Sequence, residues 1–564
     1  MLKTHASLSY LAFASLLILN ASPALAGEPP KWGSHVEAEG KWGTDRSLGE
    51  VGLFMPLWQD ENSLVFTDLR GRFDDQGSSE GNFGLGIRHK VSEQWALGGY
   101  GFYDRRKTPN DNTFSQATIG VEALAENLEF RVNGYIPEST EKDIIGPTSV
   151  ASISGANFQI QNFSNPKERG LPGFDIEAGY GFNLPDGWKF WAYAGGFHFD
   201  ADNYDSVTGP RGRLEISYDN VPYLGAGSRF TLGFESQTDN IRGGQSFGIA
   251  RLRIPLNFSG SDRQPLQGLD QRMTTRINRD IDIVSGEQAA QLESTESGVF
   301  LLEDGTQVAS FTTIDAGDDM VTNVNAAGDD NLIVVDGSAG IINVSSDIRP
   351  RQGQAILGGG TNITVQGTET GNTAALTLPG TRPTINGTNT GSTVFFLQSG
   401  VADNVRLQNM TITGGKRGIV FEGDNSTLQD ITIRDTGNDS IRVGNNATGS
   451  VFQNLTLSNP AAGAEEGIQF NSGAFTNLTL RDITVQNANV GFIFANLPSP
   501  GNPGTITFEN VSVDNVSQVV IVQGGVTLDN PSGAITATNV GGTACANSGT
   551  INGSTLTING VTCN

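Results

Sequence analysis

The sequence predicts an all-β chain in two parts, a 12-stranded antiparallel transmembrane β-barrel followed by a right-handed parallel β-helix. Three observations carry the prediction: alternation of apolar and polar residues over strand-length segments before residue 260, a change of composition near that point, and a recurring short-strand unit after residue 400. Glycine makes up 73 of the 564 residues and charged residues only 17%, a balance that suits turn-rich strands better than helices. The net charge of -25 excludes a nucleic-acid role, because phosphate binding needs clustered Lys and Arg.

The first element is a leader. Lys3 supplies a positive start, "LAFASLLILN" an apolar core and Ala24–Ala26 a small-residue cleavage site, so residues 1–26 read as a secretory signal peptide. Beyond it no run approaches the roughly 18 apolar residues that a spanning helix needs. A membrane role must therefore come from strands.

Residues 27–258 supply them. In "WALGGYGFYDRR", Trp95, Leu97, Gly99, Gly101 and Tyr103 share one face, while Ala96, Gly98, Tyr100, Phe102, Asp104 and Arg106 share the other. In "LEFRVNGYI", Leu128, Phe130, Val132 and Ile136 separate from Glu129, Arg131, Asn133 and Tyr135. "RLEISYD", "RFTLGFE" and "IARLRIPLNF" separate in the same way. A soluble sandwich also alternates. Strand lengths suited to a tilted crossing, aromatic ends, and both signs of charge on the second face favour a barrel in lipid with a water-filled interior. Trp42, Trp95, Tyr103 and Tyr218 are then candidate membrane-interface aromatics. Asp68, Arg70, Arg88, Glu129, Arg131, Arg213, Glu215, Arg251 and Arg253 are expected to face the lumen. His198, with Asp200 nearby, is an inward candidate and reads as a hydrogen-bonded plug contact in preference to a catalytic group.

Connection lengths add an orientation. The short joins "DENS", "KVSEQ", "AENL" and "LPDGW" alternate with "FDDQGSSEG", "RRKTPNDN", the stretch from Pro137 to Gly173 and "DADNYDSVTGP". Short turns on the periplasmic side and long loops outside place the N-terminus inside. With an even strand count, a C-terminal half destined for the exterior must pass back through the pore.

At this point the residues carry a resemblance. "GEVGLFMPLWQDENSLVFTDLRGRFDDQGSSEGNFGLGIRHKVSEQWALGGYGFYDRR", "QATIGVEAL", "RVNGYIP" and "RGLPGFDIEAGYG" resemble the translocator barrel of the inverse autotransporters, the intimin and invasin family, over about residues 34 to 258. The likeness extends into "QRMTTRINRDIDIV". It implies an outer-membrane barrel, a lumen-threading linker at 259–298 and a surface-displayed passenger. It also implies outer-membrane lipid, barrel-assembly machinery and periplasmic chaperones as partners. No cofactor is implied.

The passenger, 299–564, obeys other rules. All six Trp, nine Tyr and four His lie before residue 260, and after residue 290 nine basic residues face 24 acidic ones. "LQNMTI" at Leu407 recurs as "LQDITI" at Leu428, "FQNLTL" at Phe452, "LRDITV" at Leu480 and "FENVSV" at Phe508. Each is followed by a second short strand, such as "GIVF" at Gly418 or "GFIF" at Gly491. One rung cannot bury its apolar row alone, so stacking builds the core. "ILGGGTNITVQGTETG" and "LTLPGTRPTING" read as atypical first coils. Asn409, Asp430, Asn454, Asp482 and Asn510 are expected to stack as a turn-stabilising ladder, and Cys545 with Cys563 to form a disulfide stapling the last coil. The family's own passengers are strings of immunoglobulin-like domains, so their receptor specificity does not transfer. Adhesion to an unknown surface ligand, of host or matrix, remains the leading expectation.

The rival is a β-helix polysaccharide lyase or hydrolase. Lys416 and Arg417, with Asp435 and Asp439 one rung later, are its best acid–base set. Against it stands a half without Trp, Tyr or His to stack sugars. In "DAGDDMVTNVNAAGDDNLIVVDG", Asp318, Asp319, Asp329 and Asp330 could hold calcium, but the full ligand loop of an EF-hand is missing and solvated turns are the favoured reading.

Overall fold

The computed structural model describes residues 31–146, 148–256, 265–280, 282–444, 447–458, 466–471, 476–495 and 505–564. The expected signal peptide and the start of the linker lie outside the described residues. Two compact units emerge, residues 1–146 with 165–291, and residues 147–164 with 292–564.

The first unit is a closed antiparallel barrel of 12 strands. They are His35–Gly43, Ser47–Gln59, Ser63–Asp74, Ser79–Lys90, Ala96–Lys107, Thr113–Leu124, Leu128–Pro137, Gly173–Asn183, Trp188–Phe199, Val207–Asp219, Arg229–Asp239 and Gly243–Pro255. Closure comes from the first and last strands, registered His35 to Pro255 and Gly43 to Phe247. The dyad pattern decides what faces where: Ala96, Tyr100, Phe102, Asp104 and Arg106 are buried inside, while Leu97 and Tyr103 are exposed outside. None of the described helices is long and apolar enough to cross a membrane.

Two of the expected long loops are short. Strands run to Asp74 and restart at Ser79, and run to Lys107 and restart at Thr113. Arg72 and Arg106 point inward, where each finds a partner on the linker, so the ladder continues through them. Length alternation therefore rests mainly on the 138–172 connection.

The second unit is a parallel β-solenoid of about nine turns. Its main ladder stacks Leu407 on Leu428, Phe452, Leu480 and Phe508. A second ladder stacks Ile419, Ile441, Ile468, Phe492 and Val520. Asn409, Asp430, Asn454, Asp482 and Asn510 all have φ between 52° and 58°. Only Asn, Asp and Gly adopt this left-handed conformation readily. Its effect is to reset the alternation, so that both Leu407 and Met410 point into the core three residues apart. At the far end Thr557–Ile558 and Val561–Thr562 form an antiparallel hairpin, and Cys545 is bonded to Cys563.

The base of the solenoid departs from the expected boundaries. Strand Leu292–Leu301 straddles the expected end of the linker at 298 and belongs to the second unit. "NITVQG" is one arm of a hairpin, Asn362–Gly367 with Thr373–Thr377, inserted between coils where an atypical coil was expected. The segment expected as a plain barrel loop contributes a hairpin too, Ser149–Ser154 with Asn157–Phe163, which pairs antiparallel with Leu292–Leu301. These strands form one sheet over an apolar cluster that includes Phe158, Ile160, Phe300, Phe311, Leu332 and Val365. Strand-length periodicity could not find this arrangement because the pairing joins segments some 130 residues apart.

Glu296 locks that sheet. Its carboxylate accepts the Thr370 hydroxyl at 2.5 Å, the Glu369 and Thr370 N–H groups at 2.5 and 3.1 Å, and the Asn162 amide at 2.7 Å. These hydrogen bonds, the Thr370 hydroxyl foremost, hold the carboxyl down to about 2 from its ordinary 4.5. A depressed carboxyl stabilises fully above its unfolded value and loses that contribution as pH falls toward its folded value. We therefore expect the thermal midpoint of the solenoid base to fall between pH 4.5 and about 2, and Glu296→Gln to remove that dependence in a melting series.

Candidate functional site: the barrel lumen and its inserted segment

The polar interior of the barrel is occupied by the chain itself. A short helix, Gly268–Arg272, lies near the rim that carries the 60–62 and 91–95 turns, and residues 273–280 and 282–284 lie along the way to the opposite rim. There Ser285–Gln288 pairs with Lys167–Gly170. Twelve residues can reach at most about 40 Å at roughly 3.3 Å each, enough to traverse a bilayer-sized barrel.

Each step of the path is anchored. Asp270 pairs with Lys31 and Lys90, both at 2.8 Å, and its carbonyl accepts the Trp32 indole N–H at 2.9 Å. Arg272 meets Glu129 and lies 4.2 Å over the Trp191 ring. Arg276 meets Glu50, with Glu37 at 3.5 Å. Arg279 grips Asp104 through two nitrogens at 2.7 and 2.9 Å. Then the sign reverses: Asp282 receives Arg72 at 2.8 Å, and Arg46 also reaches it. Met273 and Ile277 fill the space between charges against Phe54, Phe66, Tyr100 and Phe102.

An extended segment in a barrel also needs partners for its backbone, because no strand lies beside it. Arginines provide them. Arg88 donates to the Met273 carbonyl at 2.8 Å, Arg70 to Ile277 at 2.9 Å and Arg106 to Ile283 at 2.5 Å. The Ile283 N–H donates to Glu80 at 3.0 Å, and the Asp280 N–H to the Tyr135 hydroxyl at 2.7 Å.

The nine residues expected in the lumen all project inward. Asp68 pairs with Arg70, Glu129 with Arg131, Arg213 with Glu177 and Glu215, Arg251 with Glu39, and Arg253 with Glu37. Arg88 bonds Glu122 at 2.5 Å. What differs is the medium. The lumen was expected to be water-filled around a threading linker; the linker and these ion pairs leave small cavities, about 60 Å³ beside Arg46, Arg211 and Asp280 and about 30 Å³ beside Tyr193 and Arg272, room for a few waters. Sequence reasoning missed that barrel arginines would bind linker carbonyls. The signal available was the Arg272, Arg276, Arg279 series followed by Asp280 and Asp282, which mirrors the interior's alternating signs.

On the outer face Trp42 and Tyr103 are exposed near one rim. Trp95 and Tyr218 sit near the other, against Phe130 at 6.5 Å and Trp188 at 5.2 Å. Trp58 and Tyr180 are exposed there as well and were not anticipated. His198 corrects an expectation: it faces outward, hydrogen-bonded to Thr208 at 2.6 Å, because Phe197 and Phe199 take the inward positions. It therefore contacts no plug.

The rival acid–base set is divided among the described residues. Arg417 pairs with the fully buried Asp439 at 2.7 Å, whereas Asp435 goes to Arg434 at 2.9 Å. The acidic stretch divides between two turns. Asp319 caps the helix Met320–Ala326 through the N–H groups of Val321 and Thr322, Asp318 accepts the Asp315 N–H, and Asp329 faces Arg351 at 3.7 Å. Among the described residues no cluster of three His, Cys, Asp or Glu side chains is placed to hold a metal ion.

Residues 34–238 match the family model described as the inverse autotransporter beta-domain. No curated protein matches the chain. Solved structures resemble it weakly. A chain determined in work on in-meso crystallization of membrane proteins is 18% identical, spans 45% of this chain and all of its own, and gives a TM-score of 0.34. The KdgM porin in complex with disordered oligogalacturonate is 5% identical over 40% of this chain and 99% of its own, at 0.25. The NanC porin is 10% identical over 40% and 100%, also at 0.25.

Proposed function

On the premise that residues 34–238 are an inverse autotransporter β-domain, we propose that this chain exports its own β-solenoid through the barrel, anchors it in the outer membrane and displays it at the cell surface for adhesion. The match over residues 34–238, with the closed barrel and the solenoid, supports an outer-membrane autotransporter. The observation that carries the export reading is the linker, which runs through the lumen from one rim to the other with ion pairs and carbonyl bonds along its length. Such a path is the expected end state of a chain drawn outward through a barrel and then held. No bound nucleotide is needed: folding of the solenoid outside biases the direction.

The exterior is assigned to the rim bearing the 138–172 connection, where the linker ends. Adhesion is favoured over catalysis because the solenoid carries no Trp, Tyr or His to stack a sugar, and Asp435 and Asp439 are each held by an arginine. Protease added to intact cells should clip between residues 285 and 300 and leave a membrane-protected fragment of about 28 kDa, judged from mean residue mass. Full protection of the solenoid would overturn surface display. Displayed solenoid should also retain cells on a matrix or on other cells; release of unsaturated or reducing ends from acidic polysaccharides would instead select the enzymatic reading.

A further inference from the structure

The solenoid lacks a complete base of its own. Its first apolar layer is closed by the hairpin Ser149–Phe163, which the chain order places between barrel strands Leu128–Pro137 and Gly173–Asn183. Ala151, Phe158 and Ile160 of the hairpin are buried against solenoid residues. Phe158 stacks on Phe311 with ring centroids 5.5 Å apart. Two backbone bonds, Phe158 N–H to the Ala309 carbonyl and Phe311 N–H to the Ala156 carbonyl, both 3.0 Å, stitch the hairpin to the segment after Leu292–Leu301.

Register is specified as well as contact. Phe158 lies opposite Gly298, where a Cβ would come within 2.5 Å of Val365, so only glycine fits. Asn162 donates to Glu296 and Ser294 and accepts from Asn372 and Ser149, fixing hairpin, first strand and inserted hairpin at one point. A slip of one residue would turn every side chain to the wrong face.

Order of synthesis and path of export give this arrangement a use. The hairpin belongs to a barrel connection and is made before the solenoid. Strand Leu292–Leu301 is the first solenoid element beyond the linker. A parallel coil cannot bury its row without a neighbour, and the first coil has none on its N-terminal side. We propose that the Asn157–Phe163 edge is a docking site for the emerging Leu292–Leu301 strand, and that this strand addition templates the solenoid, each coil then building on the one before. The proposal rests on the export reading above. Strand addition is an established mode of peptide capture, and tethering to the same chain gives the encounter a high effective concentration.

The test uses the full chain in the outer membrane, with an epitope at its C-terminus and pulsed expression. Gln161 and Thr295 are a registered pair, so Gln161→Cys with Thr295→Cys reports docking as a disulfide. Templating requires that this cross-link appear before the epitope becomes accessible on intact cells. A cross-link that forms only after epitope exposure makes the hairpin a late cap and overturns the proposal. In a second variant, Phe158→Ser with Ile160→Ser, epitope exposure should slow by about tenfold, a modest share of the 10²–10⁴ that tethered binding contributes. Heat-modifiable migration should show the barrel still folded. Unchanged exposure kinetics in that variant would also overturn templating, even if the finished solenoid melts lower. An unmodified chain whose epitope never reaches the surface would instead defeat the export reading, which keeps the two failures apart.

Discussion

Arg276→Met should destabilise the barrel by about 3 kcal/mol, the range found when one partner of a buried ion pair is removed. Arg276 is buried, meets Glu50 and stands 3.5 Å from Glu37 and 3.9 Å from Glu39. Removing it leaves Glu50, Glu39 and Glu37 to Arg72, Arg251 and Arg253, of which Arg72 is shared with Asp282 and Arg251 with Glu215. Methionine keeps the volume, so the loss reports charge and not a cavity. The urea midpoint of the purified barrel in detergent, read by heat-modifiable migration, measures it. Because the same side chain pins the linker, single-channel conductance should rise in parallel, and a variant with lower stability but unchanged conductance would show that Arg276 serves the wall alone.

The second large effect lies in the solenoid. Phe452→Ala should cost about 4 kcal/mol, as buried phenylalanine truncations do when the cavity cannot collapse. Phe452 is fully buried and its ring meets Phe421 edge-on with centroids 4.8 Å apart. Its backbone is held on both sides, paired to Leu428 and Leu480, so relaxation into the void is limited. A solenoid's stability is close to a sum of rungs and their interfaces. The loss should therefore be local: proteolysis of displayed solenoid should begin near this rung while the coils of the base stay protected.

Much of this molecule was legible from sequence, and the reason differs by region. Barrel strands were found because lipid outside and charge inside impose a period of two over every crossing, so Phe130, Arg131 and Val132 each reveal the phase. The rungs were found because parallel stacking forces equivalent residues, such as Leu428 and Phe452, into one column. His198 was misread because it sits between two inward phenylalanines in a strand where Gly195 and Gly196 blur the phase. The solenoid base stayed hidden for another reason. Phe158 and Gly298 pair across more than a hundred residues, and no local period records a partner that far away. The plug fell between these cases: Arg272, Arg276 and Arg279 marked it as charged, but their matches on Glu129, Glu50 and Asp104 are set by barrel closure.

The last turn of the solenoid has a bearing on crowding. A stack of parallel strands ending in free N–H and C=O groups would offer every neighbouring copy a surface to grow on, the route by which cross-β filaments extend. Here the main ladder reverses at Val561–Thr562 and is cross-linked through Cys545 and Cys563, so that part of the edge is folded back on itself. A neighbouring solenoid meeting this hairpin would find fewer free backbone groups to pair with than an open rung would offer.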